Sequence, residues 1–323
     1  MIEAQANRVM YGKTLVELGE RNPKLIVFDA DVAKSTNTIQ FARRFPERFF
    51  QAGVAEQNMM GIAAGVATTG LLPFVSTFAM FAGSRACEQV RTSIAYPRLN
   101  VKIVATNAGV EIAGDGVTHQ ATEDLAIMRA IPNLMVVSPS DPVTTRKAAL
   151  AIAEYEGPVY MRLGRQVNAV LYDEDVGFRL GRMLKLREGS DIAIIATGNI
   201  VEQALRAAAE LAKEGIGARV LDCHTIKPID REEIVRAARE TAGIVTVEDH
   251  NVIGGLGGAV CEVVAEEHPT IVRRVGLQDT FASSGRDFRM LLAHYHIDCE
   301  TIIEKARSIL HARAVSRASI PDS

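Results

Sequence analysis

Tryptophan is missing from the sequence, and aromatic residues of every kind are scarce. The 323 residues include no Trp, and aromatic residues amount to 5% of the chain. The four cysteines lie far apart in the sequence, at Cys87, Cys223, Cys261 and Cys299. Because no two have CxxC spacing and no Cys/His set has zinc-site spacing, the sequence indicates neither a zinc site nor a disulfide framework. We expect buried free thiols in a reducing cytosol.

An excess of charge and a long apolar run are also absent. The formal net charge of −3 at pH 7 gives no electrostatic argument for binding nucleic acid or an anionic membrane. The apolar stretch Gly61–Leu72 is shorter than the ~18 residues that a membrane span needs, and its glycines favour a buried helix instead. The first residues, MIEAQANRVMYGKTL, lack the apolar core of a signal peptide. These features predict a cytoplasmic protein that binds no membrane.

Short apolar runs alternate with helical patterns along the whole chain. The runs predicted as buried strands are Leu25–Phe28, Val101–Ala105, Leu134–Val137, Val159–Leu163, Ile192–Ala196, Ala218–Leu221, Ile244–Val247 and Ile271–Val275. The segments predicted as helices are Gln57–Thr69, Ser84–Ser93, Pro142–Glu154, Val201–Glu214, Arg231–Glu240, Gly258–Glu267 and Thr301–His311. Alternation of this kind is typical of parallel sheets covered by helices on both faces. The sequence therefore predicts an α/β fold with two parallel-sheet domains in tandem.

The predicted boundary between the halves lies in Gly164–Ser190. This stretch loses the apolar periodicity and carries the segments DEDVG and LREGS, which are typical of a linker. We therefore predict a first domain at 1–170 and a second at 185–312. The tail, 313–323, is predicted to fray.

Glu56 lies in the segment GVAEQNMMGIAAG, just ahead of a helix that is apolar nearly all round. A glutamate in the first turn of a helix stabilises the helix dipole, and that structural role is the simpler interpretation. A carboxylate beside a buried helix start can also stay desolvated and share a proton with a ring nitrogen. Glu56 alone does not decide between the two roles.

Phe78 and Phe81 lie in the segment PFVSTFAMF. Their spacing of three would place both rings on one face of a helix. Ordinary core packing is the simpler interpretation. The functional alternative is a flat aromatic platform for a planar ring.

The segment GDGVTHQ places Asp115 between two glycines and His119 shortly after them. A surface turn is the simpler interpretation. The letters GDG also open a magnesium-diphosphate motif, but that motif needs an asparagine pair about a helix later as a metal ligand. Only Asn133 follows here, so the sequence predicts no metal site in this chain.

Taken in this order, AEQNM, STFAMF, GDGVTHQATEDLA and SPSDP resemble the transketolase family over essentially the whole chain. The resemblance implies a pyrimidine-binding domain for thiamine diphosphate, followed by the family's C-terminal domain. The family's N-terminal domain, which binds the diphosphate and Mg²⁺ (or Ca²⁺), has no counterpart in this sequence. We therefore expect a larger partner subunit to supply it, in a heterotetramer of two chains each, and we expect this chain alone to be inactive.

The resemblance assigns a cofactor role to four residues. Glu56 matches the glutamate that hydrogen-bonds the aminopyrimidine nitrogen and thereby assists proton removal from the thiazolium ring. Phe78 and Phe81 match the aromatic pocket for the pyrimidine. Asp31, at the end of a predicted strand, matches an aspartate near the cationic thiazolium, where ligands of open α/β sheets bind.

The resemblance also implies a site for a sugar phosphate. Asp115 and His119 match residues that contact the sugar's hydroxyl and carbonyl groups, and His119 is counted with Glu56 as catalytic. Arg8, Ser35 and Arg165 match the cluster for the substrate's terminal phosphate, and two guanidinium groups with a hydroxyl suit a dianion.

The chain departs from the family pattern at two positions. The family often has a histidine eight positions before Asp115, where this chain has Asn107. A third aromatic residue sometimes follows the two phenylalanines, where this chain has Ser84. Both departures affect the choice of substrate more than the chemistry. A pentose phosphate, a branched-chain sugar phosphate and a sulfonated sugar all stay open as donors.

The second half carries two glycine-containing turns, Ala196–Asn199 and Asn251–Gly258. A glycine-rich helix start can hold an anion, but a structural turn is the simpler interpretation. Glu248, Asp249 and His250 are consecutive on a predicted strand, so their side chains alternate in direction and predict no metal site.

Three other interpretations stay open. The β subunit of a 2-oxoacid dehydrogenase shares the two-domain layout and an equivalent glutamate. Deoxyxylulose phosphate synthase shares the GDG-x-THQ and AEQ segments but is normally one long chain. A non-catalytic regulatory homologue would not need Glu56, Asp115, His119, Arg8 and Arg165 together.

Overall fold

A computed structural model describes residues 2–318 of the chain. The strands are β1 (Gln5–Ala6), β2 (Leu25–Asp29), β3 (Phe49–Gln51), β4 (Leu72–Phe78), β5 (Lys102–Thr106), β6 (Met135–Val137), β7 (Val159–Arg162), β8 (Val167–Asn168), β9 (Leu184–Arg187), β10 (Ile192–Ala196), β11 (Ala218–Asp222), β12 (Thr225–Lys227), β13 (Ile244–Asn251) and β14 (Val272–Leu277). The α-helices are α1 (Asn7–Arg21), α2 (Ala33–Thr36), α3 (Ile39–Arg44), α4 (Glu56–Ala67), α5 (Cys87–Gln89), α6 (Asp124–Ala130), α7 (Pro142–Glu154), α8 (Val201–Lys213), α9 (Arg231–Glu240), α10 (Leu256–Glu267), α11 (Phe288–His294) and α12 (Cys299–Ala318).

The first half of the chain is built on a seven-stranded sheet in the order β12-β6-β7-β5-β4-β2-β3. The strands from β6 to β3 are parallel to their neighbours, and β12 pairs antiparallel with β6 at one edge. Strands β2, β4 and β5 are buried along their whole length. Such continuous burial is what a parallel sheet covered on both faces requires.

The second half is built on a five-stranded sheet in the order β14-β13-β10-β11-β9. Its strands are parallel except β9, which pairs antiparallel with β11. Because β12 follows β11 in the chain but belongs to the first sheet, the second half also completes the sheet of the first. The predicted fold class, two parallel-sheet α/β units in tandem, is confirmed.

Three expectations about individual elements were wrong. The apolar stretch of α4 is buried on one side only, and Ile62 on its outer side is 41% exposed. The predicted helix Ser84–Ser93 is instead a series of short π- and α-helical segments within 81–95. Helix α12 continues to Ala318, so the predicted frayed tail is helical there, and residues 319–323 lie outside the described part.

The four cysteines agree only in part with the expectation of buried free thiols. Cys223 and Cys299 are buried, whereas Cys87 and Cys261 are partly exposed, and all four thiols are free. In residues 2–318, none of the helices is long and apolar enough to cross a membrane.

Several candidate site residues lie at or just beyond the carboxyl ends of the parallel strands, along one edge of the first sheet. Strand β2 ends at Asp29, β4 ends at Phe78 and β5 ends at Thr106. Ligands of open α/β sheets bind at this edge because the loops that leave it converge there.

Candidate active site

Glu56 is the first residue of α4 and is buried, with 2% of its surface exposed. The helix begins here because Ala55 has a non-helical backbone, and the apolar residues Met59 and Met60 anchor its inner side in the core. The Glu56 carboxylate accepts a hydrogen bond of 3.1 Å from the Arg85 guanidinium. Arg85 was missed by the sequence analysis, although it follows Phe81 at helical spacing.

Phe78 and Phe81 stack on each other, with ring centroids 5.8 Å apart and planes inclined by 14°. The premise that both lie on one helix was wrong, because Phe78 ends β4 and Phe81 opens the π-helical turn that follows it. The Arg85 guanidinium lies over the Phe81 ring, 4.5 Å from its centroid. Arg85 therefore connects the stacked rings to the buried Glu56 carboxylate.

The His119 ring packs against both phenylalanine rings, with its plane inclined by 71° to that of Phe81 and by 63° to that of Phe78. Its centroid lies 5.2 Å from that of Phe81 and 6.1 Å from that of Phe78. Its Nδ1 is 2.9 Å from the Thr118 hydroxyl, and the tautomer decides which of the two atoms donates. The structure thus brings together Glu56, both phenylalanines and His119.

Asp31 lies just beyond β2, in the left-handed region with φ 64° and with its side chain exposed. Its backbone N–H donates to the side-chain oxygen of Gln51 at 2.9 Å. The buried neighbour Asp29 has a structural role, since it accepts hydrogen bonds from the hydroxyls of Thr36 and Thr38. Burial raises the pKa of Asp29 above its usual range.

The residues expected to bind a phosphate lie together. Arg8 donates to the backbone carbonyl of Ser35 at 2.7 Å and to that of Arg165 at 3.3 Å. The Arg165 guanidinium forms a 3.2 Å ion pair with Asp115, and both side chains are more than a third exposed. Burial, and then the charge of Arg165, lower the pKa of Arg8. Two adjacent guanidinium groups can accept an anion.

Asn107 follows β5 directly and is buried in the left-handed region, with φ 59°. Its side-chain oxygen has no hydrogen-bond partner among residues 2–318. Ser84 is exposed, and its hydroxyl donates to the sulfur of Met80 at 3.9 Å. Neither position supplies a cation or an aromatic ring.

The glycine-rich start of α10 binds an anion, but that anion is the chain's own Glu248. Its carboxylate accepts the N–H groups of Leu256 at 2.6 Å and of Gly257 at 2.8 Å. Asp249, which points the other way, accepts the N–H of Val110 in the first half at 3.0 Å. In the described part of the chain, no group of three or more His, Cys, Asp and Glu side chains is arranged to hold a metal ion.

Two family matches cover most of the chain. Residues 3–169 match the transketolase pyrimidine-binding domain, and residues 181–302 match the transketolase C-terminal domain.

Three relatives match this chain over most of their own length. A Methanocaldococcus jannaschii protein named "Putative transketolase C-terminal section" is 50% identical over 91% of this chain and 93% of its own length. The 6-deoxy-6-sulfo-D-fructose transketolase subunit SqwH of a Clostridium species is 43% identical, with 86% of each chain covered. One of the subunits of the apulose-4-phosphate transketolase of Phocaeicola vulgatus is 38% identical over 93% of this chain and 96% of its own.

A solved structure has the same fold. It is a split-gene transketolase in an inactive β4 tetramer, which superposes with a TM-score of 0.87 at 49% identity and covers 95% of this chain and 99% of its own. Both domain matches and these relatives agree with the resemblance carried by the sequence motifs. The chain therefore belongs to the transketolase family.

Proposed function

We propose that this chain is the catalytic half of a two-chain, thiamine-diphosphate-dependent transketolase, which transfers a two-carbon ketol unit from an anionic ketose to an aldose. The observation that carries the proposal is the pairing of a buried Glu56 carboxylate with the stacked rings of Phe78 and Phe81, which Arg85 connects by contacting Glu56 and Phe81. A carboxylate and a flat aromatic surface are the groups that suit a planar, protonatable pyrimidine ring.

The residues of the candidate site fit this cofactor. When bound, thiamine diphosphate supplies the carbon nucleophile that takes up the two-carbon unit. Glu56 would hold a proton at the pyrimidine ring nitrogen, and Phe78 and Phe81 would orient the ring. His119 lies at the edge of the same rings, where a ring N–H can donate to a substrate oxygen. Asp31 is exposed at the same sheet edge, where its carboxylate would face the cationic part of the cofactor.

We further propose that the diphosphate, together with Mg²⁺ or Ca²⁺, is bound by a larger partner chain, in a heterotetramer of two chains each. Relatives named as subunits and the split-gene structure support this division. The outer side of α4 and the loop before it support it too, because Ile62 on the helix is 41% exposed and Val54, two residues before the helix, is 74% exposed. Gly61 and Gly65 leave open space beside them, and an exposed apolar surface of this kind is typical of a protein interface.

The pair Arg8 and Arg165 supports a substrate with a terminal anion. A guanidinium pair can bind phosphate or sulfonate oxygens. The relatives act on both kinds of sugar by name, a sulfonated fructose and a phosphorylated apulose. We therefore propose an anionic ketose as the donor, with a phosphate in preference to a sulfonate as its terminal anion.

The test is a donor screen with the chain alone and with the larger subunit added. We expect turnover of anionic ketoses only in the mixture, with bound thiamine diphosphate and Mg²⁺. Tight Mg²⁺-dependent cofactor binding by the chain alone would contradict the two-chain proposal. Turnover of a 2-oxoacid with no ketol transfer would support the dehydrogenase alternative instead, and a correctly assembled mixture without any turnover would support the non-catalytic one.

A further inference from the structure

Glu111 is a buried carboxylate that the sequence analysis did not single out. It lies in the 3-10 helix Gly109–Asp115, and 1% of its surface is exposed. One carboxylate oxygen, Oε2, accepts the backbone N–H of Arg165 at 2.6 Å and that of Gln166 at 2.9 Å. The other oxygen, Oε1, accepts from the side-chain amide of Asn199 at 2.6 Å. Glu111 therefore fixes the backbone at the arginine that the proposed function assigns to the substrate anion.

The same carboxylate is connected to the second arginine. The side-chain oxygen of Asn199 accepts from the amide of Asn7 at 2.8 Å. Asn7 is fully buried at the start of α1 and immediately precedes Arg8. Arg8 in turn donates to the backbone carbonyl of Arg165 at 3.3 Å. Hydrogen bonds thus link Glu111 directly to the backbone of Arg165 and, through Asn199, to the side chain of Asn7, the residue before Arg8.

Burial of Glu111 is unfavourable for stability, which points to a role other than stabilising the fold. All the described hydrogen-bond donors to its carboxylate are neutral N–H groups. A buried carboxylate without a cation is costly, and burial followed by the charge of Asp249 raises the pKa of Glu111 to about 7. Groups perturbed in this way are concentrated at functional sites.

The backbone just before Arg165 can approach Glu111 and Asn199 closely because residue 164 is a glycine. A Cβ atom on Gly164 would lie 2.0 Å from the Asn199 amide and 2.3 Å from the Glu111 carboxylate. Only a glycine lets the chain before Arg165 pass so close to both side chains. Asn199 belongs to the second half, in the turn after β10. The second domain therefore contacts Glu111 and Asn7 through the side-chain amide of Asn199.

We propose that Glu111 is a positioning residue for substrate recognition, which sets the two arginines of the anion site by holding the backbone of Arg165 and, through Asn199 and Asn7, the start of α1. The inference rests on the proposed function, because it requires that Arg8 and Arg165 bind the substrate anion. Under this proposal, the turn after β10 contributes to substrate binding through Asn199, beyond the structural role that the sequence suggested for it.

The chain offers a conservative variant and a matched control. In Glu111→Gln the amide oxygen can still accept both backbone N–H groups, so the contact with the backbone of Arg165 and Gln166 is kept and only the acceptor that faces the Asn199 amide is lost. Glu111→Ala removes the acceptor altogether. Glu248→Ala is the control, because Glu248 is equally buried and also accepts two backbone N–H groups, but at the start of α10.

The experiment measures KM and kcat of the reconstituted two-chain enzyme with D-xylulose 5-phosphate and with D-xylulose. Misplacement by about 1 Å can cost about 100-fold, so we expect Glu111→Ala to raise KM for the phosphorylated ketose by about ten- to a hundredfold. We expect kcat, and KM for D-xylulose, to stay near wild type. Asn199→Ala should shift KM in the same direction by less, Glu111→Gln should restore most of the affinity, and Glu248→Ala should leave the preference for phosphate unchanged.

The Arg165→Ala variant distinguishes a failure of the positioning role of Glu111 from a failure of the proposed anion site. If Arg165→Ala abolishes the preference for the phosphorylated ketose and Glu111→Ala does not, the positioning role is wrong and the anion site stands. If neither variant changes the preference, or the wild type has none, the anion site fails and the inference fails with it. Equal losses with both ketoses in Glu111→Ala would mean that Glu111 only stabilises the fold.

Discussion

The guanidinium of Arg85 lies 3.1 Å from the buried carboxylate of Glu56. The same guanidinium covers the Phe81 ring at 4.5 Å from its centroid. Arg85 thus contacts both groups that the proposed function assigns to the pyrimidine ring of the cofactor. Its side chain is 50% exposed, so its long apolar stem allows the charged end to turn into solvent when a ring enters.

The first prediction concerns the energy of this ion pair. Because Arg85 is half exposed, the pair is partly screened, and we expect a coupling energy of about 0.5–1 kcal/mol. The measurement is a double-mutant cycle in urea denaturation with Arg85→Met, Glu56→Gln and the double variant. A coupling energy indistinguishable from zero would mean that the two groups do not interact in solution.

The sequence alone predicts most of the regular structure, because the signals are local. Strand β10 and helices α7 and α9 agree with their predicted bounds, since apolar periodicity and helix caps are read over a few neighbouring residues. Asp141 is such a cap, and its side chain accepts the N–H of Thr144. The start of α4 at Glu56 likewise lies within one residue of the predicted bound.

The contacts that shape the site are long-range, and no local pattern predicts them. The stacking of Phe78 and Phe81 depends on a strand ending between them, whereas a spacing of three suggested a helix. Glu111 meets Arg165 54 residues later and Asn199 88 residues later. Such pairs depend on how the sheets and turns pack in three dimensions. Motif resemblance names residues that a family shares and says nothing about a position such as Glu111.

The second prediction tests Glu56 as the acid–base group. Glu56→Gln keeps the volume and a hydrogen-bonding tip, but it cannot share a proton with the pyrimidine ring in the same way. Assistance of this kind contributes about 10²–10⁴-fold, so exchange of the cofactor's thiazolium C2 proton should slow by that factor. The measurement is hydrogen–deuterium exchange on the reconstituted complex.

Folding and cofactor binding of the Glu56→Gln variant serve as the control. Both should survive, because Phe78 and Phe81 still form the aromatic surface. If Glu56 only favours a helix start, the variant loses well under ~1 kcal/mol of stability and keeps its exchange rate. Near wild-type exchange in an assembled complex would show that the catalytic glutamate is assigned wrongly.

The third prediction concerns the two arginines themselves. Loss of one charged hydrogen bond to an anion costs about 1.5–3 kcal/mol, so Arg8→Ala and Arg165→Ala should each raise KM for an anionic ketose by about 10- to 150-fold. The value of kcat should change far less, because neither side chain lies at the Glu56 site. Arg129→Ala is a control, since Arg129 bonds Gly254 and Glu262 in the second half. Unchanged KM in both variants would assign these arginines to structure.

Asp222 provides a test of how burial couples folding to pH. Its side chain is fully buried and accepts hydrogen bonds from Ser140 at 2.6 Å and from Tyr172 at 2.9 Å. Burial raises the pKa of Asp222 from 3.8 to about 7. Between these two pH values the folded chain holds a proton that the unfolded chain has lost. Asp222 therefore makes folding less favourable as pH rises from about 4 to about 7.

The fourth prediction follows from that sign. Asp222→Asn removes the titrating group but keeps an acceptor oxygen. The difference in free energy of unfolding, variant minus wild type, should therefore increase by about 2 kcal/mol from pH 5 to pH 8. Urea denaturation of both proteins across this range measures the difference and cancels the titration of every other group. Glu214→Gln is the control, because the ion pair with exposed Arg307 lowers the pKa of Glu214, the opposite direction from Asp222, so this variant should not gain stability relative to wild type as pH rises. A difference between Asp222→Asn and wild type that stays constant with pH would mean that Asp222 is ionised throughout and that the interior around it is more polar than its burial implies.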